Sequence, residues 1–253
     1  MENDAMDIFG DILNDLFETK FDNTSRIVKL EQEIYNYLGK YHGNIYGLIA
    51  LMFAQFMQGK KETAKDTAGR IWEIGGELPV EFENVYIETL LGLGLLEKAA
   101  IMLKPKFENI NMYINDFYSV LSKFAVMTGS TILIEKLSMY ESDDEDEQRL
   151  REFAAIFKEA ECSAQFKDLQ KLVLENTIDK ICGYEYEAYN DRGVPELEVV
   201  IYLTSDEQLC VQKENEINKK IDAYWLSCGK ERLYNYNVSI RNIQRYGSWI
   251  DGE

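Results

Sequence analysis

Three stretches of the chain begin with glycine and follow one another at a spacing of 35 residues: 59-GKKETA-64, 94-GLLEKA-99 and 129-GSTILI-134. Each glycine ends an apolar segment of helical character, and glycine readily adopts the left-handed conformation that stops a helix. The fifth residue after each glycine is Ala64, Ala99 or Ile134. A small residue there lets two antiparallel helices approach closely, and isoleucine fits more loosely. Each stretch is therefore predicted to join the two helices of a hairpin.

The same spacing extends along the chain in both directions. A step of 35 residues reaches Thr24 on one side and Ala164 on the other, each in a polar break of the helical pattern, and a further break is predicted at 104–111. Apolar residues recur at helical intervals through residues 1–178, without the alternation typical of strands. A period of this length with two helices per repeat is typical of a helical solenoid.

The pattern changes after residue 178. Alternating side chains predict strands over 180–190 and 196–205, separated by the turn signal 191-DRGVP-195. A helix is predicted over 206–229 and a last strand over 232–243, which gives the order β-β-α-β. The helix between them makes the second and third strands parallel neighbours or near neighbours.

These patterns predict a mostly α protein with two domains. Residues 1–178 would form an antiparallel helix-hairpin solenoid, and residues 179–253 a small α+β domain. Either outer strand of that domain would offer a free edge, which favours homodimerisation through this domain as one hypothesis.

The turn signature resembles that of tetratricopeptide-like repeats. Gly59 with Ala64 and Gly94 with Ala99 resemble the family's inter-helix turn and the small residue of its second helix, and Pro79 resembles its proline after the second helix. The resemblance implies an inner surface, lined by the first helix of each unit, that holds peptides or extended segments. The side chains expected on that surface are Tyr46, Phe53, Asn84, Glu88, Asp116 and Lys123. Core packing is the alternative for the apolar ones.

The charge balance disfavours nucleic acid as a partner. The chain carries 27 Lys and Arg against 45 Asp and Glu, a formal net charge of −18, and therefore repels phosphates over most of its surface. The run 141-ESDDEDE-147 suits a solvated helix start, and a dock for a basic partner is the alternative. A protein partner, which could be basic, is therefore expected.

One segment is basic although the net charge of the chain is negative. Residues 230–246 combine arginines with tyrosines, and such a sheet can stack single-stranded bases. The candidate side chains for this alternative, single-stranded RNA binding by the C-terminal sheet, are Tyr234, Tyr236, Arg241 and Arg245.

No catalytic, metal or cofactor motif is found in the sequence. Four widely spaced cysteines without a CxxC pair and a single histidine, His42, argue against a zinc site. There is no GxxxxGK[ST], HExxH or GxSxG. We therefore expect a protein that is not an enzyme and uses neither metal nor cofactor.

The sequence also lacks a run of about 18 apolar residues, so no membrane association is expected. The acidic, amphipathic first residues are unlike a secretory signal, which makes the cytoplasm the expected location. The leading hypothesis is an adaptor or assembly chaperone that binds a protein partner through the helical-repeat surface. An acidic inhibitor or antitoxin-like protein, masking a basic partner surface, is the alternative.

Overall fold

The computed structural model describes residues 2–140, 145–157, 160–178, 181–191, 194–203, 205–228 and 234–243. The helices in these ranges are α1 (Glu2–Phe17), α2 (Thr24–Leu38), α3 (Ile45–Met57), α4 (Lys61–Ile74), α5 (Val80–Gly92), α6 (Leu96–Glu108), α7 (Ile110–Met127), α8 (Thr131–Ser138), α9 (Glu145–Ile156), α10 (Ala160–Thr177) and α11 (Glu207–Cys228). The strands are β1 (Ile181–Asp191), β2 (Val194–Leu203) and β3 (Asn235–Asn242). The predicted class, mostly α with a C-terminal β-β-α-β part, is confirmed.

The chain forms two compact units. One contains residues 1–95 together with 242–253, and the other contains residues 96–241. The second unit holds both helices and the sheet, because aromatic residues of the strands pack against α10 and α11. The predicted division at residue 178 was drawn by secondary-structure type, and it stays a prediction.

The three glycine turns have one geometry. Gly59, Gly94 and Gly129 have φ of 71°, 75° and 64°. Each glycine N–H bonds to the carbonyl three residues earlier, at 2.8, 3.0 and 3.0 Å, and the next N–H bonds to the carbonyl five residues before it, at 2.9, 2.8 and 2.9 Å. This pair of bonds satisfies carbonyls that a helix end leaves open, and it needs a left-handed residue. The predicted turns at these three glycines are confirmed.

The fifth residue after each turn glycine is buried, as expected for a contact between the two helices. Ala64, Ala99 and Ile134 are each 0% exposed. The consecutive helices pack against their neighbours within each unit: α1 to α4 in the first, and α6, α7 and α8 in the second. This packing is compatible with a helical repeat.

Of the two outer breaks predicted by the 35-residue spacing, the one at Thr24 is present and the one at Ala164 is not. Thr24 begins α2, and the Asn23 side chain caps that helix by accepting a bond from the Arg26 N–H. The predicted break around Ala164 is wrong, because this residue lies inside α10. The segment has neither glycine nor proline, and its buried Phe166, Leu169 and Val173 follow one helical face.

The break predicted at 104–111 is much shorter than expected. Helix α6 continues through Pro105 to Glu108, and only Asn109 separates it from α7. A proline inside a helix leaves the carbonyl four residues earlier without its partner. That residue, Ile101, is 59% exposed, so water can take the place of the missing donor. The Asn109 side chain bonds to the Pro105 carbonyl at 3.1 Å and closes the helix end.

Helix α3 is the centre of the first unit. All its residues from Gly47 to Met57 are buried, and it packs against α1, α2, α4 and α5. Gly47 permits the close approach to α1, since a Cβ there would lie 2.6 Å from the Phe9 ring. Near the end of α3, the turn is held by Glu31 of α2, which accepts bonds from Lys60 at 2.8 Å and Gln58 at 3.0 Å.

The sheet of the second unit has the strand order β1-β2-β3. Strands β1 and β2 are antiparallel, with Asp191 opposite Val194 at one end and Ile181 opposite Leu203 at the other. On β3, Asn235 bonds to Glu196 of β2, and Ser239 bonds to Glu198 further along. Both contacts ascend in sequence, as they do between parallel strands, in agreement with the predicted crossover.

Candidate protein-binding groove

A groove lies where the ends of α6, α7 and α8 meet in the second unit. It encloses about 490 Å³. Its lining residues come from the corner between α6 and α7 and from the last turn of α8: Glu108, Asn109, Ile110, Asn111, Met112, Lys136, Met139 and Tyr140. Ile110 is 5% exposed. The groove is therefore lined by one buried apolar residue and by longer polar and apolar side chains.

The Gly129 turn builds this groove by folding α8 back along α7. Ile134 and Leu137 are fully buried and hold α8 in place. The end of α8 thereby reaches the start of α7, where the Tyr140 hydroxyl donates to the Asn111 side chain. The Lys136 amine donates to the carbonyl of Phe107 near the end of α6. These two bonds fix the rim on both sides.

Three large apolar side chains around the groove face solvent. Met112, Met139 and Ile132 are 74%, 78% and 77% exposed. Ile132, Lys136 and Met139 follow one another at intervals of four and three residues, so they lie on one face of α8. Met112 lines the same groove from α7. Apolar side chains exposed together in this way are typical of interaction surfaces.

The groove presents partial and full charges of both signs. Helices α6 and α8 both end here, at Glu108 and Ser138, and a helix C-terminus presents open carbonyls and a negative partial charge. Glu108 adds a carboxylate, which Lys104 approaches only to 4.0 Å with both side chains largely exposed. The Lys136 amine is already bonded to a carbonyl. Helix α7 begins at the same place with Ile110, and its N-terminus presents a positive partial charge that opposes the two C-termini.

Two of the predicted binding residues lie on α7, the helix that contributes Met112 to this groove. Asp116 is one helical turn from Met112, and Lys123 is eleven residues from it, so all three share a stripe of α7. Asp116 is exposed and Lys123 half-buried. Neither is among the residues that line the groove, and their roles in binding stay predictions.

The other four predicted residues belong to the first unit. Phe53 is 1% exposed, and its ring centroid lies 5.1 Å from that of Phe17, so it packs in the core. Tyr46 is half-buried with its ring centroid 4.8 Å from that of Phe82. Asn84 and Glu88 are half-buried, one turn apart on α5. The role of these four residues in partner binding stays a prediction.

The tyrosines of the C-terminal sheet lie inside the second unit. Tyr234 and Tyr236 are 0% and 4% exposed, and the Tyr236 hydroxyl accepts a bond from the Gln170 amide at 2.9 Å. Burial raises the pKa of Tyr236 well above its ordinary value. Arg241 is exposed, and Arg245 lies outside the described residues. Base stacking needs accessible rings, and these two rings are covered by their own unit.

Helix α11 occupies the outer edge of β3. The Asn218 side chain donates to the Val238 carbonyl at 3.0 Å and accepts from the Val238 N–H at 3.4 Å. Glu214, one turn earlier, accepts from the Ile240 N–H at 2.8 Å. A strand that joined the sheet at this edge would need those backbone groups. Of the two edges proposed for homodimerisation, β3 is therefore closed at these positions.

Sequence reasoning missed the exposed methionines. Helix α8 carries apolar residues on two faces, with Ile134 and Leu137 on one and Ile132 and Met139 on the other. The signal in the sequence was that apolar residues occupy more of the circumference of α8 than one neighbouring helix can cover. His42 is exposed in a turn.

The described residues contain neither a membrane-spanning helix nor a cluster of metal ligands. None of the helices in the described ranges is both long and apolar enough to cross a membrane. Within the same ranges, no three His, Cys, Asp or Glu side chains are grouped so that they could hold a metal ion. No protein-family model, curated protein or solved structure matches the chain.

Proposed function

We propose that this chain is a non-enzymatic protein-binding protein, an adaptor or assembly chaperone, that takes an apolar segment of a partner protein into the groove between α6, α7 and α8. The observation that carries the proposal is the exposure of Met112 and Met139, at 74% and 78%, on the two sides of one groove. A partner that covered them would remove both side chains from water.

The energetic reason is the hydrophobic effect. Burying a methionine side chain contributes about 1.5–3 kcal/mol. Two methionines and Ile132 could therefore supply several powers of ten in affinity, before the entropy lost on association is subtracted. Methionine is unbranched and flexible, so it adapts to partner side chains of different shape. That property suits an adaptor or chaperone that accepts extended or helical segments.

The repeated turns support the same reading. Three identical helix ends at a spacing of 35 residues fit the tetratricopeptide-like resemblance, in which paired helices expose a peptide-binding surface. In this proposal the groove uses the α7–α8 hairpin, the third of these units. Membership of the tetratricopeptide family and a cytoplasmic location belong to the proposal.

An acidic inhibitor is the second candidate, and the net charge of −18 favours it. Salt separates the two, because a complex that rests on surface charge weakens steeply with ionic strength, whereas buried apolar anchors are less sensitive. We do not propose single-stranded RNA, since the candidate stacking rings Tyr234 and Tyr236 are buried.

The experiment is a comparison of three full-length proteins as baits in native extracts, with the bound proteins quantified by mass spectrometry. The first is the unaltered chain, the second carries Met112→Ser with Met139→Ser, and the third carries Leu226→Ser. Leu226 is 83% exposed on α11 and serves as a matched control. The proposal expects a protein that is retained by the first and third and lost from the second. Equal retention by all three would overturn it.

A further inference from the structure

Asn218 of α11 contacts the edge of β3 in the way that a residue of a neighbouring strand would. Its side-chain amide donates to the Val238 carbonyl at 3.0 Å, and its side-chain oxygen accepts from the Val238 N–H at 3.4 Å. Two residues that face each other in an antiparallel pair of strands exchange the same two bonds. Glu214 accepts from the Ile240 N–H, two residues further along this edge, at 2.8 Å. Side chains of a helix therefore take the positions that the backbone of a fourth strand would take.

Helix α11 is packed through a small apolar surface. The structure describes all 22 of its residues, and four of them are buried: Cys210, Ile217, Ile221 and Trp225. Trp225 packs edge-on against the ring of Tyr234, just before β3, with the ring centroids 5.6 Å apart. Elements with few buried apolar contacts open at a lower free energy than the core of a domain. We therefore expect α11 to detach from β3 more readily than the strands separate from one another.

Two contacts between α11 and α10 are hydrogen bonds of polar side chains near the surface. The Lys220 amine donates to the Asn176 side chain, and the Tyr224 hydroxyl donates to the Asp168 carboxylate at 3.2 Å. Water offers the same donors and acceptors to groups that it can reach, so the net contribution of such bonds is modest. They do little to prevent the detachment of α11.

The sequence of β3 is complementary to itself in the antiparallel direction. If Val238 of two copies face each other, Tyr236 of one copy faces Ile240 of the other. These three side chains are buried on one face of the strand, so this pairing continues one apolar face across both copies. Arg241, the charged residue of the strand, then faces the neutral Asn235 of the other copy, and no like charges meet.

We infer that the outer edge of β3 is a pairing site for the β3 of a second copy of this chain, and that α11 is the cover that closes this site. Asn218 makes the two bonds that Val238 of the second copy would make, so the cover and the second copy exclude each other. Detachment of α11 therefore permits a two-fold dimer whose continuous sheet has three strands from each copy. This inference goes beyond the proposed function and uses no residue of the groove.

The first test measures the dimer dissociation constant of full-length proteins by sedimentation velocity. Asn218→Ala removes both bonds to Val238 and should tighten the dimer at least about tenfold relative to the unaltered chain, the equivalent of 1.4 kcal/mol. Asn215→Ala is the matched control, because Asn215 is exposed on the same helix and its amide bonds to the Val211 carbonyl of α11. The control should have the dissociation constant of the unaltered chain.

A second pair of variants decides the question if Asn218→Ala does not fold. Glu214→Ala removes the acceptor of the Ile240 N–H and should tighten the dimer in the same way. Glu214→Gln keeps an acceptor oxygen on a side chain of the same length, so it should behave like the unaltered chain. Equal tightening by the alanine and glutamine variants would show that the lost charge, and not the uncovered edge, causes association, and would overturn the inference.

Crosslinking tests where the two copies meet. A photoreactive amino acid replaces the exposed Asn237 in Asn218→Ala or Glu214→Ala, and isotope-labelled and unlabelled chains are mixed so that mass spectrometry identifies crosslinks between copies. The inferred register expects them on residues 237–241 of the other copy. Crosslinks between copies that fall outside β3, or alanine variants that dimerise no more tightly than the unaltered chain, would overturn the inference. Neither outcome affects the proposed function, since the groove is unaltered in every variant.

Discussion

Gly129 lies so close to Lys167 that a side chain at the glycine would meet backbone: a Cβ built there would be 2.9 Å from the Lys167 Cα. The same glycine has φ of 64° in the turn between α7 and α8. Two features of this turn therefore require glycine at position 129: its left-handed backbone and its close contact with α10. Neither condition tolerates another residue.

The substitution Gly129→Ala should consequently be strongly destabilising. A left-handed alanine costs about 1 kcal/mol, and the overlap with a backbone atom adds an overpacking cost of about 1–3 kcal/mol. Urea unfolding should show a lower midpoint. Gly69→Ala in α4 is the matched control, because nothing lies within 4 Å of its added Cβ, and alanine raises helix stability by about 0.5–1 kcal/mol. A Gly129→Ala midpoint at or above that of the unaltered chain would contradict the turn geometry.

The buried end of Glu31 predicts a second stability effect. Its side chain is 9% exposed and bonds to the Lys60 amine at 2.8 Å, while the Lys60 side chain is 45% exposed. Lys60→Met should leave the carboxylate with Gln58 alone and cost on the order of 1–2 kcal/mol, discounted for the half-exposed partner. The exposed pair between Lys104 and Glu108 is the control, and Lys104→Met should change the free energy of unfolding, measured by urea denaturation, by less than about 0.5 kcal/mol. Equal changes in the free energy of unfolding for Lys60→Met and Lys104→Met would refute the distinction between the buried and the exposed ion pair.

Alkaline pH should reveal the buried hydroxyl of Tyr86. Burial raises its pKa to about 12, and the hydroxyl donates to the Ala68 carbonyl at 3.1 Å. The folded protein keeps this proton more tightly than the unfolded chain, whose tyrosine pKa is about 10. The contribution is therefore complete below pH 10 and is lost as the pH rises from about 10 to about 12.

Comparison with Tyr86→Phe isolates this contribution from the other buried tyrosines. The stability advantage of the unaltered chain over the variant should fall by on the order of 1 kcal/mol across that window, after discounting for partial solvent screening. Thermal unfolding of both proteins between pH 8 and pH 12 measures it. If the stability difference between the unaltered chain and Tyr86→Phe stays constant with pH, Tyr86 has the same pKa in the folded and the unfolded state.

Helix α11 covers the outer edge of β3, and uncovering this edge should make the protein self-associate. Asn218→Leu with Glu214→Leu should free the Val238 and Ile240 backbone groups and cost about 1–3 kcal/mol for each buried group left unpaired. Open strand edges pair with one another, so the double variant should self-associate with rising concentration in light scattering. Asn215→Leu with Val211→Thr, on the exposed face of α11, should not. If only the control associates, α11 does not protect the edge.

The predictable features are the ones that local chemistry determines. A glycine at the end of an apolar helix specifies its own turn, so the three turns at spacing 35 could be placed from sequence. The continuation of α6 through Pro105 could not be predicted, because the carbonyl that the proline leaves without a donor belongs to Ile101, whose exposure is a property of the tertiary fold. Tyr234 and Tyr236 alternate as strand residues, and alternation does not reveal which face a helix will cover. The groove depends on three helix ends that only tertiary packing brings together.

The most direct test of the central claim is site-specific photo-crosslinking in the native cell. A photoreactive amino acid would replace Met112, Met139 or, as control, Leu226, and the crosslinked products would be identified by mass spectrometry. The account predicts the same discrete protein crosslinked from positions 112 and 139, through an apolar segment, and no such product from position 226. Absence of a product from both groove positions, or the same products from all three, would contradict it.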